Sequence, residues 1–233
     1  MAQRPPFTNG EFYHIYNRGV EKRKIFLDKK DYFRFLHDLF EFNDADETLN
    51  LNYYYYGSPT TIVERRPRKL LVDVLAFALM PNHYHLLLRQ RRENGISKFL
   101  QKLAGGYTRY FNEKRERSGV LFQGKFKAKH INDDRYLRHL LLYLHTNPVD
   151  IFQKNWKRAG ITHAARALRF LERYRWSSYP DYLGIKNFPS VINLELVDEF
   201  GLPKGKEQQK IMVEWLGAPG QKMQNVFDFT FDH

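Results

Sequence analysis

Residues 71 to 90, LVDVLAFALMPNHYHLLLRQ, constrain the fold most: two apolar runs joined only by Pro81-Asn82. Leu71 to Met80 is apolar but for Asp73 and rich in strand-forming residues, which suits a strand buried on both faces. A Pro-Asn pair then turns the chain straight into His83 to Gln90, so the two runs form a tight hairpin, and both strands are expected to lie centrally in a sheet. Ahead of the hairpin, the aromatic segment Glu11 to Arg18 reads as a first strand. A helix is expected between them, from Asp31 as N-cap, with Phe33, Leu36 and Phe40 on its apolar face. After the hairpin, Ile96, Phe99, Leu100, Leu103, Tyr107 and Tyr110 recur at helical spacing, with Gly105-Gly106 a weak point inside that helix. Val120 to Ile131 alternates as a strand, and Asn132-Asp133-Asp134 caps a third helix carrying Tyr136, Leu140, Tyr143 and Leu144 until Asn147-Pro148 stops it.

The resulting order, β-α-β-β-α-β-α, predicts an α+β fold: a ferredoxin-like split β-α-β sandwich with a central antiparallel sheet. Its catalytic core is placed at residues 1–150, with an inserted Tyr-rich, basic-ended loop at about 44–70, followed by a C-terminal helical appendage at 151–233. At 233 residues the chain is long enough for one well-packed core and short for two average domains.

Composition narrows the chemistry. Thirty-eight Lys and Arg against 26 Asp and Glu give a net charge of +12, and a surface of that sign attracts phosphate-bearing polymers first. The absence of cysteine removes disulfides, thiolate nucleophiles and Cys-ligated zinc, so any metal must bind through nitrogen and oxygen. No stretch approaches the roughly 18 apolar residues of a membrane span, and the first ten residues lack a signal-like apolar region; a cytoplasmic protein without membrane contact is expected.

Two pairs of residues could carry a reaction. His83 and His85 sit at i and i+2 of a strand, so both imidazoles point from one sheet face and can grip one ion. Nine histidines give about 0.3 such pairs by chance, so the spacing alone does not make a site; its place within an apolar strand is what singles it out. Tyr143 and Asn147 sit one helical turn apart and project together, although Asn147 before Pro148 also serves as a helix stop. Lys125, Lys127 and Lys129 alternate along the last strand and, with Arg89 and Arg18, are candidates for nucleic-acid contact, with nearby aromatics suited to unstacked bases.

Four segments, FYHIYNRG at 12–19, ALMPNHYHLLL at 78–88, SGVLFQGKFKAKHI at 118–131 and YLHTNPV at 143–149, together with RYRWSSYPDYLG at 173–184, resemble the REP-associated tyrosine transposases. These belong to the wider superfamily of HUH, IS200-like single-strand transposases. The resemblance implies the IS200-like transposase fold and assigns roles: His83, His85 and Asn147 to a catalytic Mg²⁺ or Mn²⁺, and Tyr143 to the nucleophile. It further implies cleavage and rejoining of single-stranded DNA at REP-like palindromic hairpins through a 5′-phosphotyrosine linkage. Tyr84 departs from the bulky aliphatic usual between the two histidines. Two alternatives belong to other classes: a hydrolytic metal-dependent phosphodiesterase, and a domesticated, non-catalytic nucleic-acid-binding protein.

Overall fold

In a computed structural model, which describes residues 6–46 and 67–217, the expected strands pair in the order β2-β3-β1-β4, every neighbour antiparallel. The strands are β1 (Phe12–Arg18), β2 (Val72–Met80), β3 (His83–Gln90) and β4 (Lys127–Ile131). Helices α1 (Lys29–Glu41) and α2 (Gly95–Lys114) complete the two β-α-β units. Helix α3 (Asp134–Thr146) follows β4, and short helices α4 (Val149–Phe152) and α5 (Trp156–Ala159) lead to α6 (Ala164–Arg173), α7 (Tyr179–Tyr182), α8 (Leu194–Glu199) and α9 (Gly205–Gly217). This is the α+β arrangement expected, with its C-terminal helices. The Tyr53 to Tyr56 run, Arg65 and Arg66 lie outside the described residues.

Strand alternation divides the sheet into two faces. Tyr13 and Ile15 of β1 and Tyr84, Leu86 and Leu88 of β3 pack with Phe35, Leu39, Phe99, Leu103 and Tyr107 of α1 and α2. The opposite face carries Phe12, Ala76, Leu87 and Ile131, covered by Leu140, Leu141 and Leu144 of α3 and by Trp156, Leu171, Tyr182 and Trp215 from beyond it. Tyr84 is thereby placed on the helix-packed face, its ring 5.0 Å from Phe35 and 5.8 Å from Phe122. An aromatic at that position therefore fills core and leaves the two histidines on the other face undisturbed.

Four details differ from the expectations. The α1 N-cap is Asp28: its side chain accepts from the Asp31 amide while Asp31 reaches back to the Asp28 amide, a reciprocal pair satisfying two amides that a helix start leaves open. The inward face of α1 is Phe35, Leu36 and Leu39, while Phe33 is 40% exposed. The last strand is shorter than expected, Lys127–Ile131, because residues 120–126 run irregularly past β1, touching it through the Gly19–Phe122 bridge. Pro148 ends α3, yet Asn147 and Pro148 keep helical torsions and α4 resumes at once.

The hairpin carries the largest correction: β3 is central, but β2 lies at the sheet edge. It is nonetheless buried along its whole length, because residues 174–193 supply partners for its outward backbone. Leu79 N–H donates to Trp176 O at 2.8 Å, Ser178 N–H to Phe77 O at 3.0 Å, Phe77 N–H to Ser178 Oγ at 3.0 Å, the Tyr182 hydroxyl to Leu75 O at 2.9 Å and Asn193 N–H to Val74 O at 2.9 Å. An edge strand left bare would expose a row of unpaired donors and acceptors; here the C-terminal segment covers it. His145 of α3 anchors the same region, one ring nitrogen 2.9 Å from Ser178 Oγ and the other 3.2 Å from Gln208 of α9. Its burial pushes its pKa down to about 3, so the ring is neutral.

Gly106 has a packing role. A Cβ added there would meet the Phe42 ring at 2.5 Å, whereas one added at Gly105 meets nothing within 4 Å. The close approach of α2 to the end of α1 therefore needs only the second glycine.

Candidate active site

On the face opposite α1 and α2, β3 presents His83 and His85, and their β1 neighbours by register are Arg18 and Tyr16. Tyr16 in turn faces Lys127, and His14 faces Lys129. All of these share one sheet face by alternation. Helix α3 lies across that face and brings Tyr143 and Asn147 down onto it. The rings of His83 and His85 are 5.1 Å apart and perpendicular, and the Tyr143 ring meets His85 edge-on at 5.6 Å. Asn147 Oδ1 lies 3.3 Å from His83 Nε2. The four residues singled out in the sequence thus converge, within one chain.

Placement of the basic candidates is less uniform. Lys127 and Lys129 border the site, with the Lys129 ammonium 4.4 Å from the Tyr136 ring centroid. Lys125 is exposed in the loop before β4. Arg18 stands beside His83 and donates to Gln123 Oε1. Arg89 is at the far end of β3, six residues and roughly 20 Å from His83, where it donates to Gly10 O at 3.0 Å.

Four residues of the site were not found from the sequence. His14 Nε2 is 2.9 Å from His85 Nδ1, both rings buried and stacked at 5.1 Å. Tyr16 lies beside His14, ring to ring at 4.9 Å, and 5.9 Å from the His85 ring, and burial raises its pKa. Asn82 of the turn lies with its Oδ1 2.7 Å from His83 Nδ1. Lys157 of α5 holds its ammonium 5.1 Å from the Tyr143 ring centroid. Only Asn82 lay in a motif whose geometry could have announced it; the others come from strand and helix packing.

The electrostatics favour neutral imidazoles. Burial first, then the charge of Lys129, pushes His14 down to about 3. His85 is pushed well below its ordinary 6.5 by burial first, then by His83, His14 and Lys157. A metal ligand must offer a lone pair, and a protonated ring cannot. Asn82 Nδ2 donates to Lys22 O, which turns its Oδ1 toward His83, so Nδ1 of His83 carries the proton and Nε2 the lone pair. That lone pair faces the Asn147 oxygen at 3.3 Å. Two acceptors so placed repel unless a cation lies between them or the Asn147 amide turns over to donate. Asn147 Nδ2 is itself buried without a partner among the described residues. Among the described residues no group of three or more His, Cys, Asp or Glu side chains is placed to hold a metal ion, so two imidazoles and one amide are the donor set available, and that set fits a divalent ion which keeps open positions for substrate and water.

The part of the chain that carries the site is similar to the IS200-like transposases. Residues 57–147 match the model of the family described as "Transposase IS200 like", a span that holds His83, His85 and Tyr143 and ends on Asn147. Over the whole fold, the chain is similar to a REP-associated tyrosine transposase whose structure was determined bound to a REP hairpin, at 13% identity and a TM-score of 0.51, covering 83% of this chain and 91% of that one. A transposase described as putative from Deinococcus radiodurans R1 aligns at 14% identity and a TM-score of 0.34, over 59% of this chain and 92% of that one. No curated protein matches the sequence. Among the described residues no helix is long and apolar enough to cross a membrane.

Proposed function

We propose that this protein is a transposase-type endonuclease and strand-transferase that cuts single-stranded DNA beside hairpins, using Tyr143 as nucleophile and a divalent metal, Mg²⁺ or Mn²⁺, held by His83, His85 and Asn147. The observation that carries the reading is the approach of Tyr143 to His85, ring to ring at 5.6 Å, with Asn147 one turn on beside His83. The hairpin is taken from the REP-associated transposase of similar fold, which was determined with one bound.

In the reaction, the Tyr143 hydroxyl attacks the scissile phosphorus in line. A tyrosyl O–P bond forms as the phenol gives its proton to water, the bond to the upstream sugar breaks, and the departing oxygen takes a proton from water to become a 3′-hydroxyl. Tyr143 keeps the 5′-phosphate of the downstream fragment, so the phosphodiester energy is stored and a 3′-hydroxyl can later reverse the step. A divalent ion, when bound, supplies Lewis-acid polarisation of the phosphate and offsets charge that builds in the transition state. The protein's own part is to fix these groups: Asn82 holds the tautomer of His83, His14 contacts the inner nitrogen of His85, and Lys157 places a positive charge over the Tyr143 ring. Lys127 and Lys129 line the same face for the phosphate backbone.

The test is a 3′-labelled hairpin strand incubated with wild type and Tyr143→Phe. Wild type should carry label through a denaturing gel, and Tyr143→Phe should bind DNA but carry none. An adduct on Tyr143→Phe makes another tyrosine the nucleophile, with Tyr16 the first to check. Cleavage by wild type with no adduct favours hydrolysis.

A further inference from the structure

Across the sheet edge from this site lies a set of aromatic rings that the proposed reaction does not use. Trp176 stacks on Tyr32 at 4.5 Å with planes 15° apart. Phe33 meets Trp176 edge-on at 5.1 Å, and Phe188 lies at 6.4 Å, tilted 22° from it. Sealing the β2 edge accounts for the Trp176 backbone, whose carbonyl accepts from Leu79. It does not account for Phe33, which remains 40% exposed on the outer side of α1.

The charge around the rings is of one sign. The Arg175 guanidinium stands 5.5 Å from the Phe33 ring and 5.4 Å from that of Phe188, and Arg175 itself is exposed. Lys29 and Lys30, four and three residues before Phe33, are exposed on the adjoining turn of α1. The acids nearby are turned to other partners: Asp28 and Asp31 bind Lys114 and Arg115, and Asp181 accepts from the amides of Asn187 and Phe188. Flat rings interleaved with guanidinium and ammonium groups suit unpaired bases, whose faces stack and whose phosphates need cations.

The position is also apt. Trp176 pairs with Leu79, and the next residue of β2, Met80, pairs with His83. Two strand spacings, roughly 10 Å, therefore separate the Trp176 backbone from that of His83, with the rings on the α1 face of the sheet and the two histidines on the opposite one. A strand leaving the site past the Pro81-Asn82 turn reaches the rings by wrapping round the sheet edge.

We propose that Phe33, Trp176, Phe188 and Arg175 form a stacking platform for the unpaired bases of single-stranded DNA that flank the hairpin held at the His83–Tyr143 site. The platform rests on the reading of this chain as a single-strand DNA enzyme and adds to it where the flank goes.

Tryptophan emission reads the platform directly. The other two tryptophans, Trp156 and Trp215, are buried at 0% and 3% exposure, so stacking of a base should act on Trp176. Titration with a hairpin bearing a six-nucleotide unpaired flank should quench emission, and Trp176→Phe should abolish the quench while the same DNA still binds by fluorescence anisotropy. In the same anisotropy assay, the surface double variant Phe33→Ser/Arg175→Ser should bind the flanked hairpin roughly five- to tenfold more weakly, and a flankless hairpin as wild type does. Binding of the flanked hairpin by wild type without a quench overturns the platform, as does an equal loss for both hairpins in the double variant. Formation of the Tyr143 adduct in those circumstances leaves the proposed reaction standing, whereas wild type that binds neither hairpin overturns both.

Discussion

His14 and His85 face each other across neighbouring strands with 2.9 Å between Nε2 of the first and Nδ1 of the second. One proton occupies that gap, and which ring owns it decides what His85 can do. If His85 holds the proton on Nδ1, its Nε2 presents a lone pair to the site; if His14 holds it, His85 must carry its own proton on Nε2 and cannot ligate. His14 has no second hydrogen bond among the described residues, its Nδ1 being buried without a partner.

From this follows a prediction about metal affinity. His14→Phe keeps a flat ring in the same space but removes the acceptor, and it should weaken Mn²⁺ binding about 10- to 100-fold. His14→Gln, whose carbonyl can still accept from His85, should stay within a few-fold of wild type. Electron paramagnetic resonance of free Mn²⁺ measures both without turnover. Equal affinity of His14→Phe and wild type would show that His14 is packing alone.

The adjacent glycines of α2 should respond in opposite directions. Gly105→Ala meets nothing and replaces a poor helix residue by the best, so it should gain about 0.5–1 kcal/mol. Gly106→Ala drives a methyl to 2.5 Å from the Phe42 ring, and overpacking of about 1–3 kcal/mol outweighs the same propensity gain. Thermal melts should therefore move up by about 1–4 °C for the first and down for the second. Two shifts of the same sign would refute the packing account.

How far the sequence spoke depended on how local each cause was. The pairs His83–His85 and Tyr143–Asn147 were legible because strand and helix periods aim i, i+2 and i, i+4 residues together. The position of β2 was not: a run apolar but for Asp73 says that a strand is covered, and its cover comes from Trp176, Ser178 and Tyr182, about a hundred residues later. His14 was illegible for a similar reason, since a single imidazole in an aromatic strand has no periodic partner until the β1–β3 register sets it beside His85. At the start of α1, Asp28 and Asp31 are three residues apart and either could cap; only their reciprocal bonds identify which does. Phe33 fits an inward helical face by spacing but turns outward, because the rings it meets belong to Trp176 and Phe188.

That same pair of aspartates sets an acid limit on stability. Burial alone would raise the Asp28 pKa, but hydrogen bonds from Lys114 and Arg115 outweigh it and hold the group at about 2 against an ordinary 3.8. Asp31 is lowered against the same burial effect by Lys114 and by the Leu27 amide. With folded values below unfolded ones, the contribution is complete above about pH 4 and is lost as pH falls toward 2, when the unfolded chain takes up protons first. Asp28 is well exposed, so most of the effect belongs to Asp31. Asp31→Asn should cost about 2 kcal/mol at pH 7, less than the loss of a fully buried pair because Lys114 and Arg115 reach solvent. It should also flatten the fall of melting temperature between pH 4 and 2. An unchanged acid slope in Asp31→Asn would place the acid sensitivity elsewhere.

The Tyr143 side chain is buried, so negative character that builds on its oxygen during attack has little water to stabilise it. Lys157 opposes that cost: its ammonium lies 5.1 Å from the ring centroid and is itself held 3.0 Å from Asp150. As the tyrosyl oxygen gains negative character during attack, a cation over its ring lowers the barrier, while in the resting state the neutral ring gains less from it. Lys157→Met keeps the stem and removes the charge, and single-turnover cleavage of the hairpin should slow about tenfold, which is about 1.4 kcal/mol in the barrier. DNA affinity should change little, and Mn²⁺ affinity should not fall, because the Lys157 charge also bears on His85 and its removal favours a cation there. Lys157→Arg should recover most of the rate if charge is what matters. If Lys157→Arg is as slow as Lys157→Met, the lysine acts through its fit against Asp150 and the ring, and the electrostatic assignment fails.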